Sequence, residues 1–139
     1  MADLFLFPVT VRYLEVDAQN VVFNAWYLAW FDEAMAAFLA DRGLPYKQML
    51  DAGHDVQLVR SEIDWRSGVG WGDDVVVAVS TARLGRTSFV LDFDVRRGEE
   101  ITCAGRTTYV VIGTDGSGKR EIPPMLADAL GEPAPLRPV

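Results

Sequence analysis

Residues 9–39, VTVRYLEVDAQNVVFNAWYLAWFDEAMAAFL, change their period once, and that change sets the fold. Val9, Val11 and Tyr13 alternate with Thr10, Arg12 and Leu14, which reads as a strand of period two. Asp17-Ala18-Gln19-Asn20 breaks the alternation, and Asn20 tolerates the positive φ that a tight turn requires. Helical spacing follows. Tyr27, Phe31, Ala34 or Met35, and Phe38 recur every three or four residues, while Leu28, Trp30 and Leu39 widen the apolar face. The spacing predicts a long helix buried on most sides, with Asn24 as its N-cap and Gly43 as its stop.

Outward from this stretch the chain is mostly strand. Residues 45–52 fit a short second helix, with Pro45 near its first turn and Gly53 ending it. From Val56 the period is two. Val59, Ser61, Ile63 and Trp65 point one way, and Leu58, Arg60, Glu62, Asp64 and Arg66 the other. Gly68, Gly70 and Gly72 interrupt as a sheet bend. Val75, Val77 and Val79 resume the pattern, and Leu84-Gly85 is a turn. Thr87, Phe89, Leu91, Phe93 and Val95 alternate with Ser88, Val90, Asp92, Asp94 and Arg96, which predicts a half-buried strand with a solvated outer row. Arg97-Gly98-Glu99 makes a hairpin turn into a last long strand over 101–112. A polar loop over 114–119, a terminal helix within 122–130 and a frayed, proline-rich tail over 132–139 complete the chain. One strand, one long helix and four strands joined by short turns give a single α+β domain over 1–139, an antiparallel sheet covering the helix.

Composition narrows the function classes. Twenty acidic against thirteen basic residues leave a net charge of −7, which argues against nonspecific nucleic-acid binding. A polyanionic ligand must then be met by a local group of arginines. One cysteine, Cys103, permits no internal disulfide and fits a reducing, cytoplasmic setting. Residues 1–7 are apolar but short, carry Asp3, lack a basic leader and meet Pro8, so they are not expected to be a signal peptide. No apolar run approaches the roughly 18 residues of a membrane span. The single histidine, His54, falls in a predicted surface loop, and one cysteine with one histidine offers no metal-site spacing. A G-x-S-x-G nucleophile motif is missing.

Few residues are left to carry chemistry. Asp17 is a turn former by residue type, but beside a helix start and apolar neighbours it could also serve as a base or nucleophile. The N-terminus of the helix at Asn24 needs no role beyond capping, yet its free backbone N–H groups could polarise a carbonyl oxygen. Asp32 and Glu33 face different ways; one is expected in solvent, the other buried and hydrogen-bonded. Arg83 and Arg86, with Arg60, Arg66, Arg96 and Arg97 on flanking strands, group around one hairpin. Arg86-Thr87-Ser88 offers a guanidinium and two hydroxyls suited to phosphate oxygens.

The set Asp17, Asn20-Val21-Val22-Phe23-Asn24, Tyr27 and Trp30-Phe31-Asp32 resembles the signature of the 4-hydroxybenzoyl-CoA thioesterase family, small acyl-CoA thioesterases of the hotdog fold. Residues 61–74, Arg86-Thr87-Ser88-Phe89 and 118–123 extend the resemblance over about 9–125. It implies a five-stranded antiparallel sheet wrapped around one long helix, two copies joined edge to edge, with the homodimer and the homotetramer (a pair of such dimers) as the alternative assemblies. It also implies that Asp17 attacks the thioester carbonyl or activates water, and that the backbone N–H near Asn24 binds the oxyanion. The CoA would run between subunits with its phosphates near Arg86, Thr87 and Ser88; Arg60, Trp26 and Tyr27 complete the implied substrate contacts. CoA is then part of the substrate, and no separate cofactor, nucleic acid or membrane is implied. Three positions depart from the family pattern. Asn20 replaces a glycine, Asn24 a histidine or tyrosine, and Trp26 an asparagine, so that Trp26 either narrows the acyl pocket or packs between subunits. Competing readings are a hydratase or dehydratase on the same fold, which needs His54 beside Asp17; a non-catalytic acyl-CoA binder; and a thioesterase acting on carrier-protein thioesters.

Overall fold

The computed structural model describes residues 4–139; of the apolar leader, residues 1–3 lie outside it. The order is β1 (Phe5–Thr10), a 3-10 turn (Tyr13–Glu15), α1 (Ala25–Asp41), α2 (Tyr46–Asp51), β2 (His54–Trp65), β3 (Asp74–Leu84), β4 (Ser88–Arg97), β5 (Glu100–Gly113) and α3 (Pro124–Leu130). The five strands form one sheet in the order β1-β3-β4-β5-β2, and every neighbouring pair is antiparallel. The first strand starts and ends earlier than the alternation at residues 9–14 predicts, and Tyr13 and Leu14 belong to the 3-10 turn instead. Pro8 is tolerated inside β1 because β1 is an edge strand, where a missing N–H breaks no ladder bond. His54 opens β2 rather than lying in a surface loop, and its Nδ1 is buried without a partner among the described residues. A bulge between Leu58 and Arg60 shifts the register there, so the single alternation read through Val59 breaks at that point.

Helix α1 buries Tyr27, Trp30, Phe31, Ala34, Met35 and Phe38, one stripe at helical spacing. They face the inner row of β4, where Phe89, Leu91, Phe93 and Val95 are fully buried. Phe31 stacks on Phe93 with ring centroids 4.6 Å apart. The helix is not buried on most sides: Leu28, Asp32, Glu33 and Ala40 are exposed on its other face.

The outer face of the sheet departs furthest from expectation. Asp92 and Asp94 are 0% and 3% exposed, not solvated, because the tail covers them. The tail is docked rather than frayed. The N–H of Ala134 donates to the Thr81 carbonyl at 2.7 Å, and that of Leu136 to Asp92 at 2.9 Å. Arg137 pairs with both Asp92 and Asp94, and Arg106 donates to Asp92 and to the Pro138 carbonyl. Two carboxylates removed from water need cations close by, and the tail supplies one of the two.

Gly105 of β5 sets how closely α1 lies on the sheet. A Cβ there would stand 2.6 Å from Phe31 Cε2. Gly105→Ala is therefore expected to lower the unfolding free energy by about 1–3 kcal/mol, the usual effect of overpacking a closed core; a urea titration against the parent protein measures it, and an unchanged midpoint would show that the ring moves aside freely.

Candidate active site

The loop between the 3-10 turn and α1 is a closed unit. Val16 and Val22 form an isolated bridge, and the Phe23 N–H donates to the Glu15 carbonyl at 2.9 Å. Inside the unit the Asp17 N–H donates to the Val21 carbonyl and the Asn20 N–H to the Asp17 carbonyl, both at 2.9 Å. The Asp17 carboxylate accepts the Gln19 N–H at 2.8 Å, so it does form the turn its residue type suggests. It remains half-buried, with its second oxygen outside that bond. Asn20 is the one non-glycine residue with positive φ among those described, at +63°. The turn keeps its shape without a glycine because Asn accepts this region.

Helix α1 begins directly after this unit. Trp26 and Tyr27 N–H groups close onto the Phe23 and Asn24 carbonyls at 3.0 and 3.3 Å. The N–H groups of Asn24 and Ala25 have no acceptor among the described residues. They are the free donors of a helix start, where the helix dipole also favours negative charge. The Asn24 side chain makes no capping bond, and its φ and ψ of −50° and −39° are already helical. Asn24 therefore takes the N-cap place without using its side chain.

A cavity of about 270 Å³ opens at this helix start, lined by Val21, Val22, Asn24, Tyr27, Trp65, Arg66, Ser67 and Gly68. Burial, with a smaller push from Cys103, raises the Tyr27 hydroxyl pKa to about 12, so it stays neutral and can only donate or accept a hydrogen bond. Asp17 does not line this cavity; its turn adjoins it through Val21 and Val22. Trp26 faces elsewhere, into a separate cleft with Thr10, Arg12, Glu15 and Trp30, where the Arg12 guanidinium sits 5.8 Å from its ring centre. In a single chain it cannot narrow the cavity at Asn24.

Further along the groove between α1 and β2 lies a cavity of about 390 Å³, lined by Asp32, Glu33, Met35, Ala36, Tyr46, Val56, Leu58 and Tyr109. Loss of water on its cavity side raises the Asp32 pKa, and a long 3.5 Å bond from the Tyr109 hydroxyl acts in the opposite sense. Burial, then the Asp32 charge, raises the Tyr109 pKa. Neither Asp32 nor Glu33 is buried in the sense the sequence suggests; both keep an exposed edge.

The arginines scatter. Arg86 pairs with Glu121 at 3.3 Å and Arg60 with Glu62 at 3.3 Å, all at the surface. Arg97 turns to Asp73, Glu100 and the Gly68 carbonyl. Arg86, Thr87 and Ser88 stand at the start of β4, whereas the helix start lies beside Trp65, whose partner Cys103 is opposite Val95 near its end. Seven residues of strand, roughly 23 Å, separate Ser88 from Val95. One chain does not bring the two groups together.

Glu15 is the residue the sequence reading missed. Its side chain is 2% exposed, and its carboxylate accepts the Arg12 N–H at 2.7 Å, the Trp30 indole N–H at 2.9 Å and Arg12 Nη2 at 3.2 Å. Burial alone would raise its pKa; the bonds from the Arg12 backbone, Trp30 and the Arg12 guanidinium outweigh it and hold the pKa below the ordinary value. The three-residue spacing of Arg12 and Glu15 matches the geometry of a capping box, the only local signal that could have flagged it.

Comparison with known proteins places this geometry. Residues 19–104 match the model of the thioesterase superfamily. A putative esterase of Aquifex aeolicus (strain VF5) is 26% identical over 108 residues, covering 78% of this chain and 84% of that protein. A 1,4-dihydroxy-2-naphthoyl-CoA hydrolase of Synechococcus elongatus is 26% identical over 132 residues, covering 94% and 96%. The crystal structure of a hypothetical protein from Aquifex aeolicus superposes with a TM-score of 0.87 at 24% identity, covering 91% of this chain and 99% of that one. The fold is the hotdog fold, an α+β architecture. No helix among the described residues is long and apolar enough to cross a membrane.

The unused side chain of Asn24 has a measurable consequence. A working N-cap loses about 1 kcal/mol when replaced by alanine, but Asn24→Ala is expected to change stability by less than about 0.5 kcal/mol, since no cap bond is lost and alanine is the better helix former. Thermal denaturation decides it, and a loss near 1 kcal/mol would mean that the side chain caps in solution.

Proposed function

We infer the reaction from one premise: the chain belongs to the thioesterase superfamily and is a thioester hydrolase. The substrate is an acyl-CoA. The observation that carries this reading is the pair of N–H groups at Asn24 and Ala25, which have no partner among the described residues, stand at the helix start and follow directly on the turn that holds Asp17. The thioester carbonyl sits over those donors. As a nucleophile adds, its oxygen gains charge and the bonds strengthen, which lowers the barrier. Asp17 either removes a proton from the attacking water or attacks the carbonyl itself to form a mixed anhydride that water then opens. In both routes the carbon–sulfur bond breaks, CoA leaves as the thiolate, and the acid is released. The scheme uses no separate cofactor.

The site is completed by a second copy of the chain. β2 is an edge strand with Leu58, Val59 and Trp65 exposed, and an open edge is a template for pairing. Antiparallel pairing of β2 with its counterpart places the second copy's Arg86, Thr87 and Ser88 end beside this chain's helix start. That arrangement supplies the CoA phosphates with a guanidinium and two hydroxyls, and a further pairing of dimers would give the tetramer.

For the acyl group the reading is a hydroxylated aromatic. Asp32 lies eight residues after Asn24, about 12 Å along the helix, at a cavity whose apolar wall is Met35, Ala36 and Leu58. A flat ring fits such a wall, and a carboxylate at its edge accepts a hydroxyl. The name of the Synechococcus relative points to the same class. A hydratase needs His54 beside Asp17; within one chain His54 lies eleven residues along β2 from Trp65, roughly 36 Å.

Asp17→Asn is expected to keep the fold and CoA binding and to lose turnover by about 10²-fold or more. A panel of aryl, short, medium and long acyl-CoA thioesters, with the same acyl groups on a carrier protein, gives the substrate class. Near-parental turnover of Asp17→Asn on every thioester that is hydrolysed would remove Asp17 from the chemistry. For Asp32→Asn, kcat/KM should fall about tenfold or more on hydroxyaryl-CoA and far less on benzoyl-CoA; equal losses on the two would refute the hydroxyl contact.

A further inference from the structure

We propose that Glu15 is a positioning residue for this reaction, holding the Asp17 turn in register with the free N–H groups at the start of α1. The inference rests on the assignment of Asp17 above. Its two carboxylate oxygens are divided between two elements. Oε1 accepts the backbone N–H of Arg12, at the exit of β1, at 2.7 Å. Oε2 accepts the indole N–H of Trp30, on the second turn of α1, at 2.9 Å, and Arg12 Nη2 at 3.2 Å. Its carbonyl takes the Phe23 N–H at 2.9 Å and so closes the base of the 16–22 loop. One residue thus ties strand exit, loop and helix together, two positions before Asp17, while Phe23, which closes the loop, stands one position before Asn24.

Stability is a poor explanation for this arrangement. A carboxylate 2% exposed is expensive to bury, and well-packed apolar side chains of similar volume commonly leave a protein as stable or more so. What the carboxylate provides and an apolar group does not is direction. Trp30 is itself only 2% exposed and is fixed in the core by its neighbour Tyr27, at 5.1 Å between ring centres. The bond to its indole N–H therefore refers the loop to a rigid point on the helix that carries the oxyanion donors. Reaction geometry is sensitive to this kind of reference, since a displacement near 1 Å can lower a rate about 10²-fold.

Two variants test it, Glu15→Gln and Trp30→Phe. Glutamine keeps one acceptor where two are used; phenylalanine removes the indole donor and leaves the Arg12 bonds. Each is assayed well below its own melting temperature. The expected result is a fall in kcat of about tenfold or more for Glu15→Gln and a smaller fall for Trp30→Phe, with KM within about twofold. Backbone amide exchange at Asp17 and Phe23 should accelerate in both, with Leu91 in the central strand unchanged. In the Asp17→Asn background Glu15→Gln should cost no further rate, because both act through one group. Unchanged kcat and unchanged exchange would overturn the proposal, as would an independent loss of rate in the double variant. A lowered melting temperature with parental kcat would reduce Glu15 to a structural residue. Should Glu15→Gln fail to fold, Trp30→Phe and the exchange data decide alone. If Asp17→Asn itself keeps full turnover, the assignment of Asp17 falls, while faster exchange at Asp17 and Phe23 still reports the clamp.

Discussion

The close approach of Phe31 to the sheet at Gly105 fixes where everything else can be. With only a hydrogen under the ring, α1 settles onto β4 and β5, Phe31 stacks on Phe93, and the helix axis has little freedom to rise or slide. The first turn of α1 is then carried to one end of the sheet, beside Trp65 and the β4–β5 hairpin. A wider separation would leave the same secondary structure but would put the helix start out of reach of the loops that surround it. Core packing sets the location of the candidate site in this sense, although none of the packed rings belongs to it.

Two anchors then hold the Asp17 turn against that fixed helix. From the helix side comes the Glu15–Trp30 bond. From the sheet side comes the loop over 66–73, whose Val69 carbonyl accepts the Val22 N–H at 2.8 Å and whose Asp73 carbonyl accepts the Val11 N–H at 3.0 Å. Gly68 meets Val21 so closely that a Cβ would stand 2.7 Å from Cγ1. Arg97 ties this loop to the hairpin through the Gly68 carbonyl and Asp73, each at 3.1 Å, and through Glu100 at 2.9 Å. A half-exposed ion-pair group of this sort adds little to global stability, so its value is geometric. The candidate site stands on loops, as in many folds, but these loops are referenced to rigid elements on both sides.

Period and turn chemistry made most of the architecture legible. The helix from Tyr27 to Phe38, the alternation of Phe89 to Val95, the positive φ at Asn20 and the stops at Gly43 and Gly53 are all local signals, and local signals survive without knowledge of the neighbours. What was hidden is long-range. Asp92 reads as an outward residue until Arg137, distant in sequence, folds over it, and the proline-rich tail reads as frayed until those carboxylates give it a partner. The alternation at residues 9–14 leaves Pro8 outside the first strand, whereas β1 runs through it as an edge. Glu15 looks like any acid in a turn, because the indole it meets is fifteen residues further on. Asn24 shows the reverse error: the right residue type at the right place, with a side chain that does nothing for the helix end.

The same contrast between local and long-range pairing decides which arginines an anionic substrate can use. The net charge of −7 means that phosphate is not attracted by the protein as a whole. Any guanidinium that binds it must be released from its present partner at little cost. Arg106 and Arg137 are ruled out, since they neutralise carboxylates 0% and 5% exposed, and freeing them would strand buried charge. Arg97 is committed to holding the 66–73 loop. Arg86 is different: its side chain is 80% exposed, its partner Glu121 is 71% exposed, and such a pair contributes between nothing and about 1 kcal/mol. A phosphate, with more charge and more acceptor oxygens than a single carboxylate, can displace Glu121 there while Thr87 and Ser88 add their hydroxyls. The proposed role of Arg86 toward the CoA phosphates is compatible with the weakness of its bond within the chain, a property it shares with Arg60, whose partner Glu62 is also exposed.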